Sequence, residues 1–357
     1  VFRPHLACLP DLARAFGGDV PGDVERLEIP LAEIGWVRAA RRLAAYLRER
    51  RIDILHSHMF RGSLFASPVG RLCRVPVVLE TSHGREAWRR GWRANYFIDR
   101  MANRCVNRTI AVSAANARYL VEEKRLPGSK VTVIHNGCDL DRFRPDHAAP
   151  EGMRAALRIG PLDPVLLVTG RLEPQKGHRF LLDAMREVRG EFPGARAILL
   201  GEGSLRGELE RQAAALGLGD TVRFVGFQAN VPDWLALADI SVLPSLHEGL
   251  PLVAIESLAA GCPMVATAVD GTPEVVVNER TGLTVPPGEA RSLAEAIRRL
   301  LGSAELRRRF AAAGRGWVLE RFSRERQMRD TQELYLNEWQ SAAHARSSRP
   351  VRREQLS

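Results

Sequence analysis

Short apolar runs of strand length alternate along this chain with longer segments of helical period, and the pattern runs through twice. In the first half the runs fall at residues 5–9, 24–29, 52–55, 75–79, 109–112 and 131–134, with helical segments such as 37–50 and 114–124 between them. In the second half they fall at 165–169, 197–200, 222–225, 240–243 and 264–266, separated or followed by helical segments at 178–192, 205–216, 252–260, 293–301 and 304–322. A strand that is apolar throughout, without polar alternation, is buried on both faces. Parallel strands also need a crossover between them, usually a helix. The pattern therefore predicts an α/β protein with two doubly wound parallel-sheet domains. The 357 residues are enough for two such cores.

The boundaries follow from the punctuation. Asn136-Gly137 breaks a strand, and Pro145 and Pro150 mark irregular chain, so 135–150 reads as the connection. The first domain is assigned to 1–147, the second to 148–322, and a last helix to 323–340. The stretch 341–357, rich in Arg and Ser and poor in apolar residues, reads as a disordered tail. A doubly wound domain usually opens with a strand, a glycine-rich turn and a helix. Here Val1 leads straight into the first apolar run, so the first domain is expected to lack that opening unit, either as a fragment or through a misplaced start.

Charge separates the two halves. Residues 1–147 carry 25 Lys and Arg against 16 Asp and Glu, a net of +9, whereas 148–340 carry 23 against 25, a net of −2. The first half is thus suited to face an anionic partner. Five scattered cysteines without a C-x-x-C pair argue against a disulfide frame or a zinc site and point to a reducing cytoplasm. No apolar run approaches the roughly 20 residues of a membrane span, and no signal peptide opens the chain.

In open α/β sheets, ligands bind at the carboxyl ends of the strands. One such end carries Gly170-Arg171-Leu-Glu-Pro-Gln-Lys176-Gly177. Arg171 can fork across two phosphate oxygens and Lys176 supplies a point charge, which together suit a diphosphate. Another carries His247-Glu248-Gly249-Leu250-Pro251, with Glu256 inside the following helix. A helix mouth attracts phosphate, so two carboxylates beside it would hold hydroxyls, as on a sugar and a ribose. Gly201 ends the run at 197–200 and lets backbone approach a nucleotide. Phe227, after the run at 222–225, either stacks on a base or caps the core. In the first half His83 follows the run at 75–79, as a cleft residue or an ordinary loop residue. His56 and His58 look like a metal pair, but the absence of a nearby carboxylate or cysteine in sequence favours cleft-lining or structural roles. Asp139-Leu140-Asp141 mimics a metal-binding D-x-D within the connection.

Together these residues resemble glycosyltransferase family 4, retaining nucleotide-sugar enzymes of the GT-B fold with two Rossmann-like domains facing a cleft. Besides the two segments above, the resemblance rests on Asn136-Gly137 with Asp139 and Phe143, and on Thr281-Gly282-Leu283 with Val285-Pro286-Pro287-Gly288. It covers nearly the whole chain. By resemblance Arg171 and Lys176 hold the donor diphosphate, with Gly170 on the same loop. Glu248 touches the donor sugar, backbone at Gly249 and Leu250 borders it, Glu256 holds the ribose hydroxyls, and His83 reaches the sugar from the first domain. The reaction implied is transfer of a sugar from a nucleotide diphosphate sugar to an acceptor hydroxyl with retention, in bacterial envelope or exopolysaccharide synthesis. No cofactor and no metal are expected, since Arg171 and Lys176 can neutralise the leaving diphosphate. A nucleotide-sugar epimerase of the same fold, or a non-catalytic nucleotide-sugar-binding protein, is the alternative reading.

The segment from Glu86 to Phe97 sets Trp88, Trp92 and Tyr96 four apart, with Arg89, Arg90 and Arg93 beside them. As one helical face it suits either an anionic bilayer surface or packing on the domain core. The expected partners are therefore a nucleotide-sugar donor, a glycan or lipid-linked acceptor and an anionic membrane surface, with the protein cytoplasmic or peripheral on the membrane's inner face. Nucleic acid is not among them, because aromatic residues interleave the arginines in one segment alone.

Overall fold

The computed structural model describes residues 2–16, 20–85 and 93–347. The first half runs β1 (His5–Cys8), α1 (Pro10–Phe16), β2 (Glu25–Glu28), α2 (Leu31–Glu49), β3 (Ile54–His58), α3 (Met59–Leu72), β4 (Val77–Ser82), α4 (Arg93–Asn103), β5 (Arg108–Ala111), α5 (Ala114–Arg118) and β6 (Val131–Val133). The second half runs α6 (Met153–Ala156), β7 (Val165–Thr169), α7 (His178–Glu191), β8 (Arg196–Leu200), α8 (Arg206–Ala215), β9 (Val222–Gly226), α9 (Val231–Leu237), β10 (Ile240–Leu243), α10 (Leu252–Ala259), β11 (Met264–Thr267), α11 (Thr272–Val275), β12 (Gly282–Val285), α12 (Ala290–Leu301), α13 (Ala304–Arg321) and α14 (Arg324–Ser347).

The second domain is one six-stranded parallel sheet in the order β12-β11-β10-β7-β8-β9. Chain order reverses between β7 and β10, which makes the crevice above that pair the switch point of the sheet. Side chains alternate along each strand, and both faces find a core. Leu166, Val168, Leu199, Val242 and Val265 turn to the layer of α7, α8 and α12. Val165, Leu167, Ile198, Leu243 and Ala266 turn the other way, towards α9, α10 and Val318 of α13. The helices earn their places by period: α12 buries Leu293, Ile297, Leu300 and Leu301 on one side. Ser303 caps α13 by accepting from the Leu306 N–H.

The first domain differs from a single continuous sheet. β1 and β2 pair parallel as one sheet, and β3-β4-β5-β6 form another. Packing, not a strand ladder, bridges the two: Leu43 and Leu47 of α2 share a cluster with Leu27 from β2, Val78 from β4 and Val69 from α3.

The connection is built into the second core, since Cys138, Leu140 and Phe143 pack there, ahead of residue 148. It also runs beside the chain's return crossing. The Cys138 N–H donates to the Phe322 carbonyl and the Arg324 N–H to the Cys138 carbonyl, both at 2.9 Å. A Cβ on Gly137 would run into the Ser323 backbone, which explains the glycine. The final helix is longer than the sequence implies. It continues through Ser347, so 341–347 is helix and not tail. Ala342, Ala343 and Ala345 are strong helix formers. Further back, Glu338 pins α14 to the first domain by accepting from Arg108 Nε at 2.6 Å.

Candidate active site

The switch-point crevice brings the two main sequence signals together. The loop after β7 delivers Lys176, and the loop after β10 delivers Glu248. Lys176 Nζ donates to Glu248 Oε1 at 2.6 Å, and Ser245 Oγ donates to the same oxygen at 2.6 Å. Glu248 is buried, with 7 % of its surface exposed. A carboxylate in that setting is stable only when paired. With both bonds on Oε1, Oε2 is the oxygen left to accept from a ligand hydroxyl. The loops are braced against each other: Gln175 Nε2 donates to the His247 carbonyl at 2.8 Å, and the Leu246 N–H donates to the Gln175 carbonyl at 2.8 Å. Beneath them His178 donates from Nε2 to the Arg171 carbonyl at 3.0 Å, and burial pushes its pKa down to about 4. The imidazole is therefore a neutral strut for the Arg171 loop.

Other anticipated residues line the same carboxyl edge. Arg171 is exposed on the β7 loop. The Gly170 N–H donates to the Leu200 carbonyl and the Gly201 N–H to the Gly226 carbonyl, so these turns sit side by side. Leu250 is buried. Glu256 is half-buried one turn into α10. Burial raises its pKa, while the Arg142 charge works the other way. Among the described residues no hydrogen bond of its carboxylate is recorded. Phe227 is 77 % exposed, which removes the core-cap reading and leaves the ring free to stack.

The first domain reaches this edge with His83. The backbones of the two domains nearly touch here: Gly84 adopts φ +127°, and a Cβ on it would lie 2.7 Å from Gly249 Cα. His83 Nε2 is 3.2 Å from His58 Nδ1. Although the residue is exposed, surrounding protein and the His58 ring hold its pKa at about 4. His56 stacks on His58, and both its nitrogens are engaged, with Tyr335 Oη at 2.6 Å and Thr81 Oγ1 at 2.7 Å. Burial first, then His58 and His83, lower its pKa to about 3. His56 is thus structural, tying α14 to β3 and β4. In the D-x-D segment Asp139 pairs with Arg324 at 3.2 Å, Leu140 is buried and Asp141 is exposed.

Relatives decide what this crevice belongs to. The model of Glycosyltransferase Family 4 matches residues 6–142, and that of Glycosyl transferases group 1 matches 151–317. A GDP-mannose-dependent phosphatidylinositol monomannoside mannosyltransferase of Mycobacterium tuberculosis is 32% identical over 265 residues, covering 71% of this chain and 67% of its own. The chain belongs to glycosyltransferase family 4. A UDP-Gal-dependent galactosyltransferase of Escherichia coli is 26% identical over 261 residues, with the same coverage of 71% and 67%. Among solved structures, a glycosyltransferase of Rickettsia africae superposes with a TM-score of 0.81 at 20% identity, over 94% of this chain and 90% of that one. Anabaena HepE in complex with UDP gives 0.76 at 22%, over 87% and 86%. Both share the GT-B fold. The findings support a glycosyltransferase and not the epimerase or binding-protein alternatives.

The family 4 site also contains residues that the sequence reading missed. Asp270 accepts from the Glu248 N–H at 3.0 Å and from Arg85 Nε at 3.0 Å. Glu274 accepts from the Ala114 and Ala115 N–H groups at 3.0 and 2.9 Å and lies 2.9 Å from His135 Nε2. Ser113 Oγ donates to the Gly249 carbonyl at 3.0 Å. All of them follow β5 or β11 at the carboxyl edge. The strand-end rule, carried past 264–266, would have reached Asp270-Gly-Thr-Pro-Glu274. Trp88, Arg89, Arg90 and Trp92 lie outside the described residues, as does the side chain of Arg93. Tyr96 turns inward against Tyr119, with ring centroids 6.5 Å apart. The exposed apolar side of α4 is instead Phe97, Ile98 and Met101. With Leu64 and Pro68 of α3 these residues line an open groove of about 270 Å³.

Proposed function

We propose that this glycosyltransferase binds a nucleotide diphosphate sugar in the β7–β10 crevice and transfers the sugar with retention. The observation that carries this is the pairing of half-buried Lys176 with buried Glu248 at the switch point of the sheet. As the bond from the anomeric carbon to the diphosphate breaks, charge gathers on the leaving oxygens. Lys176, Arg171 and the N–H groups at the mouth of α10 stand where they would meet it, without a metal ion. Glu248, held through one oxygen, orients the sugar and does not attack it. Glu256 holds the ribose, Phe227 stacks on the base, and His83, neutral at physiological pH, contacts the sugar from across the cleft. The acceptor hydroxyl loses its proton to the departing phosphate. In the Glu248→Ala and Lys176→Ala variants transfer should fall about 100-fold or more, and Lys176→Ala, which removes the partner of the buried Glu248 carboxylate, should also melt at a lower temperature. Full activity in both variants would contradict the assignment.

For the acceptor, the relatives favour a glycan or lipid-linked molecule of the bacterial envelope or exopolysaccharide. The phosphatidylinositol mannoside enzyme and the diphosphoundecaprenol-directed galactosyltransferase both act on lipid-linked acceptors by name. The +9 charge of the first 147 residues and the exposed Phe97, Ile98 and Met101 suit the inner face of an anionic membrane. No helix among the described residues is long and apolar enough to cross one. Sedimentation with vesicles containing phosphatidylglycerol should retain the wild type and lose the Trp88→Ala/Trp92→Ala variant. Equal partition of the two would contradict membrane docking.

A further inference from the structure

The residues from Asp270 to Glu274 have no part in the donor contacts above, yet they make a dense set of polar links between the two domains. Asp270 sits between β11 and α11 with φ +42°, in the left-handed region that a non-glycine residue enters at a cost of about 1 kcal/mol or more. Such strain persists only where neighbours hold it. One carboxylate oxygen accepts from Arg85 Nε, in the loop after β4 of the first domain; the other accepts from the N–H of Glu248. Arg85 is in turn paired with Glu123. A single side chain therefore joins the first domain to the backbone of the residue that orients the sugar.

Glu274 makes the second link. Its two oxygens accept from the first two amides of α5, which belongs to the other domain, and one of them also meets His135 at the start of the connection. Its carbonyl is fixed by Trp317 Nε1 at 3.0 Å. The α5 amides are orphan donors that need an acceptor, and the acceptor comes from across the cleft. Burial works to raise the Glu274 pKa, but the bonds from His135 and the two amides outweigh it and hold the carboxylate charged. Between these links Ser113 Oγ reaches the Gly249 carbonyl, and Gly271 is so close to Ser113 and Gly249 that a Cβ would overlap them.

We propose that Asp270 and Glu274 are positioning residues that form an interdomain clasp, which closes the first domain onto the second and sets Glu248 in register with the sugar. The proposal rests on the donor-site reading above. The clasp acts on chemistry more than on donor capture, because Arg171, Lys176 and Glu256 all belong to the second domain. Neither residue touches the substrate; both act through Glu248 and through closure.

The test combines steady-state kinetics with hydrogen exchange on wild type, Asp270→Asn and Glu274→Gln. In Glu274→Gln an amide –NH₂ replaces one acceptor facing the α5 amides. Exchange in the peptide covering Ser113–Arg118 should accelerate at least tenfold, while peptides from β7 and β8 stay protected. For transfer, kcat should fall at least tenfold in both variants, and the donor KM should change less than threefold. A purely structural role would leave that split unseen. Unchanged exchange at Ser113–Arg118, or kcat retained despite faster exchange, would overturn the clasp while leaving the donor site standing. A wild type that transfers no sugar from any nucleotide sugar would overturn the donor-site reading, and the clasp with it.

Discussion

The two domains present the same kind of fold at different densities. In the second, one six-stranded sheet is closed on both faces, and β7, β8, β10 and β11 are buried almost end to end. In the first, the strands divide into two sheets, β1 and β3 are largely half-exposed, and apolar residues such as Met59, Leu72 and Phe97 stand open. The residues proposed to hold the donor (Arg171, Lys176, Glu248 and Glu256) all lie on the dense domain. The looser domain contributes His83, Arg85, Ser113 and the exposed side of α4 with Phe97, Ile98 and Met101. A phosphate site gains from a rigid frame, since preorganised charges cost no reorganisation during reaction. The side proposed to receive the acceptor does not need the same rigidity.

The sharpest way to break this comparison is to truncate one strand leucine in each domain. Leu199, fully buried in β8, should cost about 3–5 kcal/mol as Leu199→Ala. Leu55, half-buried in β3, should cost about 1–2 kcal/mol as Leu55→Ala. Urea unfolding followed by domain-resolved hydrogen exchange measures both, and equal losses would mean that the densities are alike.

Acid should separate the domains next. His56, His58 and His83 cluster on the first domain, all with lowered pKa, His56 to about 3 and His83 to about 4. The buried histidine of the second domain is His178, at the start of α7, at about 4. A histidine whose folded pKa lies below its unfolded value contributes its stability above about pH 6.5 and loses it as pH falls towards the folded value. Each buried ring costs at most about 1.4 kcal/mol per pH unit across that window, and the more exposed His58 and His83 cost less. Peptides from β3 and β4 should therefore lose exchange protection at pH 5 before those from β7 and β8, and His56→Gln should flatten the difference. Simultaneous loss in both domains would contradict it.

Much of this was legible in the sequence, for reasons that show where legibility stops. All eleven runs overlap strands of the structure. Those at 165–169, 197–200 and 264–266 stand out because doubly buried parallel strands leave a nearly unbroken apolar signature, whereas 24–29 alternates and its strand β2 buries Leu27 alone. β12, from Gly282, escaped the count with its glycine and threonine. The break between β2-β1 and β3-β4 was not legible, since pairing depends on which edges meet. The helix over 341–347 was missed because arginine and serine read as tail, while the alanines between them favour helix. Arg171, Lys176, Glu248 and Glu256 stand out in the sequence because they sit next to long apolar runs, and the structure sets Lys176 against Glu248. Asp270 and Glu274 were not, because their meaning is a contact across the cleft: Glu274 caps a helix about 160 residues earlier in the chain. Phe227 was undecided in sequence, and its exposure settles only that it is no core residue.

The central claim is that Lys176 and Glu248 form half of a diphosphate-sugar site in a crevice built by the second domain. Isothermal titration tests it most directly, using the nucleotide sugar that raises the melting temperature most among UDP-, GDP- and ADP-linked hexoses. The wild type should bind it, and Lys176→Ala should bind at least tenfold more weakly, a loss of about 1.4 kcal/mol, while Arg108→Ala on the far side of the first domain binds as the wild type does. Unaltered affinity in Lys176→Ala would place the donor elsewhere and contradict the account.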